Sequence, residues 1–384
     1  MPTTAQAAAV AVVVFAVYTA FELTSPDDGV AGVLDVLIFP ALGLIYVPLA
    51  ALVAKRAQGR FRAAWWAVTI ALVSWAVGEF IWAYSELALT EAPFPSWADA
   101  AYLFYVPAMA VALALFPSGL GWLDKGRMVL DGLIVTGSFF VISWLAVMRA
   151  IWRSEDAGGL SFVVSLAYPV GDVLLMTLGL LVLIRMPSGL RPTFVLLVAG
   201  LACAFWADSL WAQGRMSSAE AHEIGPLPHL LYVANPLLII VALVAAYHAD
   251  SRSATAAVPQ SRLSLWLPAL PLIGAAVTVA LSRKDVVTES PVVITGAVLV
   301  AATLLRQFME SSELVRREHE IRHLADRLTD ELDSASQYVA SILPGQLDGP
   351  VQVSSRYLPA RAVGGDSFGY TWIDDDHLIV YLID

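Results

Sequence analysis

The chain has 384 residues, of which 58% are hydrophobic and 14% are charged, and its mean hydropathy is +0.71. Soluble domains usually carry about a quarter charged residues, so this composition indicates a multi-span membrane protein. The net charge of −11 comes from scattered acidic residues without a basic stripe, which argues against nucleic-acid binding. The single cysteine, Cys203, excludes a disulfide framework.

Ten apolar segments follow one another along the chain. Most approach the roughly 20 residues that a helix needs to cross a bilayer, whereas the ninth and tenth are short, so we expect eight to ten spans. The N-terminus has no basic residues, which favours a first membrane helix over a cleaved signal. The segments are 5–23, 31–54, 63–87, 97–116, 128–148, 160–184, 193–214, 227–247, 264–281 and 291–307.

The basic residues predict the orientation of these spans. With the N-terminus inside, the inner loops hold ten Lys and Arg residues and the outer loops hold five. Cytoplasmic loops show this bias, and an even number of spans returns the C-terminus to the cytoplasm. The sequence therefore predicts a multi-pass membrane protein with both termini in the cytoplasm.

A weak internal repeat is visible at an offset of 129 residues. The segment Glu79–Trp82 (EFIW) matches Asp208–Trp211 (DSLW), and Pro107 falls on Pro236. Each acidic-x-x-Trp motif precedes an outer loop and another span. The pattern indicates a duplicated helical unit.

Several carboxylates lie within or at the edges of predicted spans, namely Asp35, Glu79, Asp99, Asp131, Asp172 and Asp208. A carboxylate in hydrocarbon is costly, so each one suggests a function. In the predicted topology Asp35, Glu79, Asp99 and Asp208 fall toward the outer half, at a depth similar to Trp82 and Trp211. We therefore predict an outward-facing acidic and aromatic pocket for a cationic or polar ligand. The alternative is an interfacial aromatic belt with carboxylates that neighbouring helices satisfy.

The last span continues without Gly or Pro into a charged helix over 308–343. Apolar residues recur there every seven positions, at Leu314, Ile321, Leu328, Ala335 and Ile342. This pattern is typical of a coiled coil that pairs two copies of the chain and transmits movement from the membrane. The alternative is one amphipathic helix that packs on its own downstream domain.

Pro344 and Gly345 end this helix, and three strands are predicted after it. The segment VQVSSRYLP is the first, and SFGYTWI and LIVYLI form a hairpin. The last strand is apolar on both faces, as expected of a central, doubly covered strand. The predicted domains are thus a membrane module over 1–307, a signalling helix over 308–343 and a terminal α/β segment over 344–384.

Hairpin geometry brings two aspartates together. If the turn is centred on Asp375, Asp366 faces Asp384 at the open end, where opposed Cβ atoms lie about 4.5–5.5 Å apart. Two such carboxylates repel each other unless divalent cations bind between them, and Gly364 and Gly365 allow a tight turn just before Asp366. The pair suits a two-metal site that clamps a phosphoryl group and its attacking water.

About the last 45 residues resemble the start of a protein phosphatase 2C (PPM)-type domain of the bacterial SpoIIE-like branch. The matching motifs are Leu343-Pro344, Pro359-Ala360, Gly364-Gly365-Asp366 with Phe368, and Asp384 as the first residue of the final motif. The resemblance implies that Asp366 and Asp384 bind two Mn²⁺ or Mg²⁺ ions. It also implies a phosphoserine or phosphothreonine protein substrate, and suggests an anti-sigma-factor antagonist.

Two departures from this family accompany the resemblance. Gly369-Tyr370 stands where the family often has a second aspartate after the aromatic residue. Later aspartate ligands of the family are absent up to Asp384, so we expect a truncated, inactive domain in these 384 residues. The fold class that follows is mainly α, with a helical membrane bundle, a coiled-coil linker and the first strands of an α/β phosphatase domain.

Two other readings use the same residues. The segment GGDSF differs by one residue from the loop of diguanylate cyclases, but the Asn-Asp motif of that family is absent. A membrane receptor or transporter with a structural tail would need no catalytic residues at all. The residues after Asp384 would discriminate between these functions.

Overall fold

The structure of the protein is a computed structural model. It describes residues 1–24, 28–88, 94–116, 122–153, 159–216, 226–249, 268–282, 284–347, 351–356 and 367–383. Among these residues the fold is mostly helical, and the chain divides into two compact units, Met1–Arg306 and Gln307–Asp384.

The helices of the described chain follow the apolar segments of the sequence. They are α1 (Thr4–Thr24), α2 (Asp28–Arg56), α3 (Gly59–Ala88), α4 (Trp97–Leu115), α5 (Trp122–Ser143), a π-helical turn (Trp144–Met148), α6 (Arg149–Arg153), α7 (Leu160–Arg185), α8 (Arg191–Met216), α9 (Leu227–His248), α10 (Ala269–Leu281), α11 (Lys284–Val287) and α12 (Ser290–Ile342). Two strands follow, β1 (Ser367–Trp372) and β2 (Leu378–Ile383).

Nine helices among the described residues are long and apolar enough to cross a membrane. The helix in the ninth predicted segment, α10, has only 13 residues. Such a helix is about 20 Å long, which is short of the roughly 30 Å hydrocarbon core of a bilayer. The helices are consistent with a multi-span membrane protein, as the composition predicts.

Six of the helices form a closed ring. Going round it, α2 packs on α3, α3 on α4, α4 on α7, α7 on α8, α8 on α9, and α9 returns to α2. Helix α1 packs on α9 outside the ring, and α5 packs between α7 and α10. The largest fully buried side chains, Phe194, Phe205 and Leu72, belong to ring helices α8 and α3.

The ring consists of two consecutive three-helix units. Helices α7, α8 and α9 begin 132, 132 and 130 residues after α2, α3 and α4, close to the 129-residue offset of the sequence repeat. The most extensive helix contacts are those of α3 with α4 and of α8 with α9, which are the equivalent pairs of the two units. The ring is therefore closed by two equivalent contacts, α2 with α9 and α4 with α7.

The apolar part of α12 is anchored to α5 and the turn after it. At one end, Glu289 accepts hydrogen bonds from Arg149 Nε at 2.5 Å and Trp144 Nε1 at 3.0 Å. At the other end, Arg306 Nε lies 2.7 Å from Asp131 Oδ1. Between them, Leu299 packs directly over Gly137 of α5. Helix α12 is therefore held at both ends of its apolar part.

Beyond Arg306, α12 continues as one helix to Ile342, as the absence of Gly and Pro predicts. The heptad residues in this segment are exposed in the single chain. Leu314 is 68% exposed and Leu328 is 53% exposed. An exposed apolar stripe of this length lacks a covering partner within the described chain, and its pairing with a second copy stays a prediction.

The terminal hairpin has the predicted register. Strands β1 and β2 are antiparallel, with Ser367 opposite Ile383 and Trp372 opposite Leu378. The turn closes on Asp374, whose Oδ1 accepts from the backbone N–H groups of Asp376 and His377 at 3.0 and 2.8 Å. Such Asx turns are common where a short polar side chain mimics a backbone turn.

Two expectations for this terminal region were wrong. The predicted strand VQVSSRYLP is no strand over its described part, 351–356, where Val353 makes only an isolated bridge to Leu347. Strand β2 is not covered on both faces, because it pairs with β1 alone and Leu382 is 78% exposed. The apolar pattern of β2 predicted a buried strand, but no described element covers it.

Candidate functional site

The six-helix ring encloses a cavity of about 30 Å³. Every ring helix contributes to its wall, which includes Tyr46 of α2, Trp75 of α3, Tyr102 and Tyr105 of α4, Tyr168 and Asp172 of α7, Asp208 of α8 and Asn235 of α9. A polar cavity needs roughly 10–15 Å³ to hold one water molecule, so this one has room for about two. The cavity is the main candidate for a ligand site in the unit Met1–Arg306, which we call the membrane unit for its long apolar helices.

Two carboxyl groups meet in the wall of this cavity. Asp172 of α7 and Asp208 of α8 both line it. The Tyr232 hydroxyl of α9 donates a hydrogen bond to Asp208 Oδ1. We call Asp172 and Asp208 the acid pair.

Two further carboxylates lie just behind the wall. Glu79 of α3 is buried and hydrogen-bonds with Tyr102 and Trp75, both of which line the cavity. Asp99 Oδ1 accepts from the Tyr168 hydroxyl at 2.7 Å, and Tyr168 also lines the cavity. Each of these carboxylates thus fixes the orientation of an aromatic side chain in the wall.

Asp99 also forms the start of α4. Its Oδ2 accepts from the Ser96 backbone N–H at 2.6 Å, while the Ser96 hydroxyl accepts from the Ala98 backbone N–H at 3.1 Å. This reciprocal capping arrangement satisfies backbone donors that a helix N-terminus leaves free. Asp99 therefore has a local structural role in addition to its contact with Tyr168.

The cavity lies toward one end of the ring. Glu79 and Asp208 are in the C-terminal halves of α3 and α8, while Tyr102 and Tyr168 are in the N-terminal halves of α4 and α7. At the opposite end, Phe116 packs edge-on against Phe194 and Trp65, with ring centroids 4.8 and 5.3 Å apart. An aromatic cluster thus fills the far end of the ring.

The structure brings together only some of the residues predicted to form the pocket. Asp208 lines the cavity, whereas Glu79 and Asp99 lie behind its tyrosines. Trp211 instead stacks near His229, with ring centroids 5.4 Å apart, and Trp82 is half-buried away from the cavity lining. The side chain of Asp35 lies outside the described residues.

Much of the cavity wall was not predicted from the sequence. Asp172 was recognised as an intramembrane acid but was not placed in the pocket, and Tyr46, Tyr105 and Asn235 were not singled out. The available signal was the repeat, because it pairs α2–α4 with α7–α9 and predicts that Asp172 and Asp208 lie in the second unit. The offset does not predict that α2 packs on α9 and α4 on α7 to close the ring.

The predicted metal ligands Asp366 and Asp384, and the supporting Gly364 and Gly365, lie outside the described residues. Among the residues that are described, no three His, Cys, Asp or Glu side chains are arranged to hold a metal ion. At the other end of the hairpin, His377 Nδ1 lies 2.7 Å from Asp374 Oδ1. This contact and the backbone N–H of Asp376 lower the pKa of Asp374.

Comparison with protein-family models, with curated proteins and with solved structures found no match.

Proposed function

We propose that this protein is a membrane-anchored, signal-responsive serine/threonine protein phosphatase that uses a dinuclear Mn²⁺ or Mg²⁺ site. In this proposal the six-helix ring senses the signal, α12 transmits it, and the segment after α12 begins the catalytic domain. The resemblance of the terminal segment to PPM-type phosphatases supports the catalytic assignment. The single structural observation behind it is the register of the hairpin.

The register of the hairpin agrees with a turn centred on Asp375, which was predicted to place Asp366 opposite Asp384. Ser367 lies opposite Ile383, and the next residues outward in the sequence are Asp366 and Asp384. A one-residue slip would turn every side chain of β2 to the other face and would separate these positions. The register of β1 and β2 therefore supports a metal site formed by the carboxylates of Asp366 and Asp384.

A packed route connects the cavity with α12. Helix α7, which holds Asp172, packs on α5, and α5 holds one end of α12 through the Arg306–Asp131 ion pair. The side chains of Arg306 and Asp131 are only 18% and 16% exposed, so water screens their attraction less than at an open surface. A ligand that moves α7 relative to α5 would therefore act on the helix that leads to the output segment.

Further parts of the proposal concern partners and location. The exposed heptad residues of α12 support a parallel homodimer through 308–343. The substrate class is a phosphoserine or phosphothreonine protein, for which the family resemblance suggests an anti-sigma-factor antagonist. The protein would lie in a bacterial cell membrane with both termini in the cytoplasm.

The test joins residues 1–384 to the remaining part of a PPM-type phosphatase domain, which supplies the other metal ligands. Asp366→Asn and Asp384→Asn each preserve side-chain size while removing a charge that offsets the dications. We expect Mn²⁺-dependent hydrolysis of a phosphoserine peptide to fall at least about a hundredfold in each variant, because the attacking water is no longer held by two metals.

Asp375→Asn is the matched control, since it removes the same charge from the turn at the opposite end of the hairpin and should leave hydrolysis unchanged. Full activity in the Asp366→Asn, Asp384→Asn double variant would disprove the phosphatase assignment. Ligand-dependent dimer changes without any hydrolysis would instead favour a receptor whose terminal segment is structural.

A further inference from the structure

We propose that the ring cavity binds a compact monovalent organic cation, whose primary ammonium group is recognised by Asp172, Asp208 and Tyr46. This inference deepens the sensor role proposed above by naming a ligand class. It concerns the membrane unit alone, so it stands or falls independently of whether the terminal segment belongs to a phosphatase.

The charge of the cavity wall is the first reason. Two carboxyl groups, those of Asp172 and Asp208, line the cavity. None of the described residues that line the cavity is Lys, Arg or His. An acidic cavity wall of this kind favours a positively charged ligand.

An unsatisfied hydroxyl is the second, independent reason. Tyr46 lines the same cavity and is only 2% exposed, yet its hydroxyl has no hydrogen-bond partner in the described structure. Buried polar groups without partners are rare and costly, and each one calls for an explanation. A ligand that brings a hydrogen-bond donor to Tyr46 would satisfy it.

The aromatic wall favours an ammonium group over a metal ion. Trp75 packs against Tyr102 and Tyr105 with ring centroids 4.8 and 5.1 Å apart, and all three line the cavity. Aromatic faces attract organic cations, and an ammonium group has three N–H donors for the oxygens of Asp172, Asp208 and Tyr46. Metal binding is less well supported, because no three acidic, His or Cys side chains of the described chain are arranged for it.

The position of the cavity also suits a binding site. It lies where the two three-helix units of the ring meet, with Asp172 and Asp208 from one unit and Tyr46 and Trp75 from the other. Membrane proteins built from repeats commonly bind their ligands at the interface between the repeats. A small cation seated there would contact both units and could change how they pack.

The test measures binding of ¹⁴C-methylammonium to the 384-residue chain in lipid nanodiscs by equilibrium dialysis. We expect saturable binding at about one site per chain in the parent. Asp172→Asn and Asp208→Asn should each weaken it by at least about tenfold, because each replaces an ionisable member of the acid pair with a neutral amide of the same size. Glu86→Gln is the control, as this exposed carboxylate of α3 is outside the cavity lining.

Tyr46→Phe gives a second test, because it should change thermal stability and methylammonium binding in opposite directions. Removing an unsatisfied buried hydroxyl should raise the thermal stability of the empty protein, while the loss of a ligand contact should weaken methylammonium binding about three- to tenfold. A merely structural Tyr46 would change stability but not binding.

Two outcomes would overturn the proposal. The first is the absence of saturable methylammonium binding up to about 10 mM, roughly the weak limit for a specific site. The second is equal binding by the parent and both acid-pair variants. Phosphatase activity is not measured in any of these arms, so failure here leaves the catalytic proposal to its own test.

Discussion

Two glycines allow the ring helices to approach closely around the cavity. A Cβ atom on Gly78 of α3 would lie 2.5–3.0 Å from ring atoms of Tyr102 on α4, and one on Gly171 of α7 would lie 2.8 Å from a methyl group of Val106. Real Cβ atoms essentially never come so near to other heavy atoms. Both glycines therefore face cavity-lining side chains that have little room to move.

Gly78→Ala should destabilise the membrane unit. The added methyl group must displace the Tyr102 ring, which is held by its hydrogen bond with Glu79, so we expect a loss of about 1–3 kcal/mol, as is usual for overpacking. A lowered Tm of the detergent-purified protein would show this. Gly296→Ala in α12 is the matched control, since nothing lies within 4 Å of its added Cβ and a helical Ala is favoured over Gly. Equal Tm shifts in the two variants would contradict the steric explanation.

Glu289 is the anchoring carboxylate just before α12. Burial alone would raise the pKa of Glu289, but hydrogen bonds from Arg149 and Trp144 and the charges of Arg149 and Arg153 outweigh it, so the pKa lies below its ordinary value of 4.5. A carboxylate with a lowered folded-state pKa stabilises the protein above its unfolded-state pKa. That contribution is lost as the pH falls through the folded-state pKa.

Glu289→Gln should therefore be less stable than the parent at pH 7, and the difference in Tm should shrink as the pH is lowered below the ordinary glutamate pKa of 4.5. Glu318→Gln is the control, because its ion pair with Arg322 joins side chains that are 60% and 69% exposed and should contribute little at any pH. A Tm difference for Glu289→Gln that does not change with pH would show that its charge is not what anchors α12.

Among the elements, α12 combines two different environments in one helix. Its first part packs on α5 between Glu289 and Arg306, whereas its heptad residues after Arg306 are exposed. Exposed leucines at seven-residue spacing over several turns are usually covered by another helix. A second copy of the same helix would cover them with matching register.

Cysteine cross-linking in membranes tests that dimer. In a Cys203→Ala background, which removes the only native thiol, single cysteines at Leu314 or Leu328 should form disulfides between chains under mild oxidation. Cysteines at Glu313 or Arg327 are the controls, because they lie next to the stripe along the same helix. Cross-linking at the two control positions alone would mean that the apolar stripe is not the dimer contact.

At the scale of the whole molecule, the ring is built from two equivalent three-helix units in the same orientation. In both units a carboxylate on the second helix is hydrogen-bonded by a tyrosine near the start of the third, namely Glu79 with Tyr102 and Asp208 with Tyr232. The two tyrosines differ by one position from the 129-residue offset. The two units thus share the contact between an acidic residue and a tyrosine, although the tyrosines do not occupy identical repeat positions.

Reporter fusions test the orientation of this ring in the membrane. A fusion after Asp28, before most of α2, should report the external side, and a fusion after Arg60, at the start of α3, should report the cytoplasm. The reason is the concentration of basic residues in the loops assigned to the inside. The opposite pair of results would invert the topology and would place the cavity nearer the cytoplasmic face.

The sequence by itself determined the elements whose signals are local. Apolar length predicted helices long enough to cross a membrane, the absence of Gly and Pro predicted an unbroken α12, and turn residues around Asp375 predicted the hairpin register. Each of these depends on residues close together in the chain. A strand was predicted wrongly at 351–356, because alternation of apolar residues does not guarantee a partner strand.

Only the tertiary structure decided which residues meet. Asp172 and Asp208 are on separate helices, and Tyr46 is more than a hundred residues from either, so their common cavity depends on the closure of the ring by α2 with α9 and α4 with α7. Helices that are apolar all round contain no stripe that specifies their neighbours, because lipid and protein satisfy such faces equally well. Close packing at small residues and hydrogen bonds between buried polar groups instead determine which helices pack together. Both are properties of the assembled bundle.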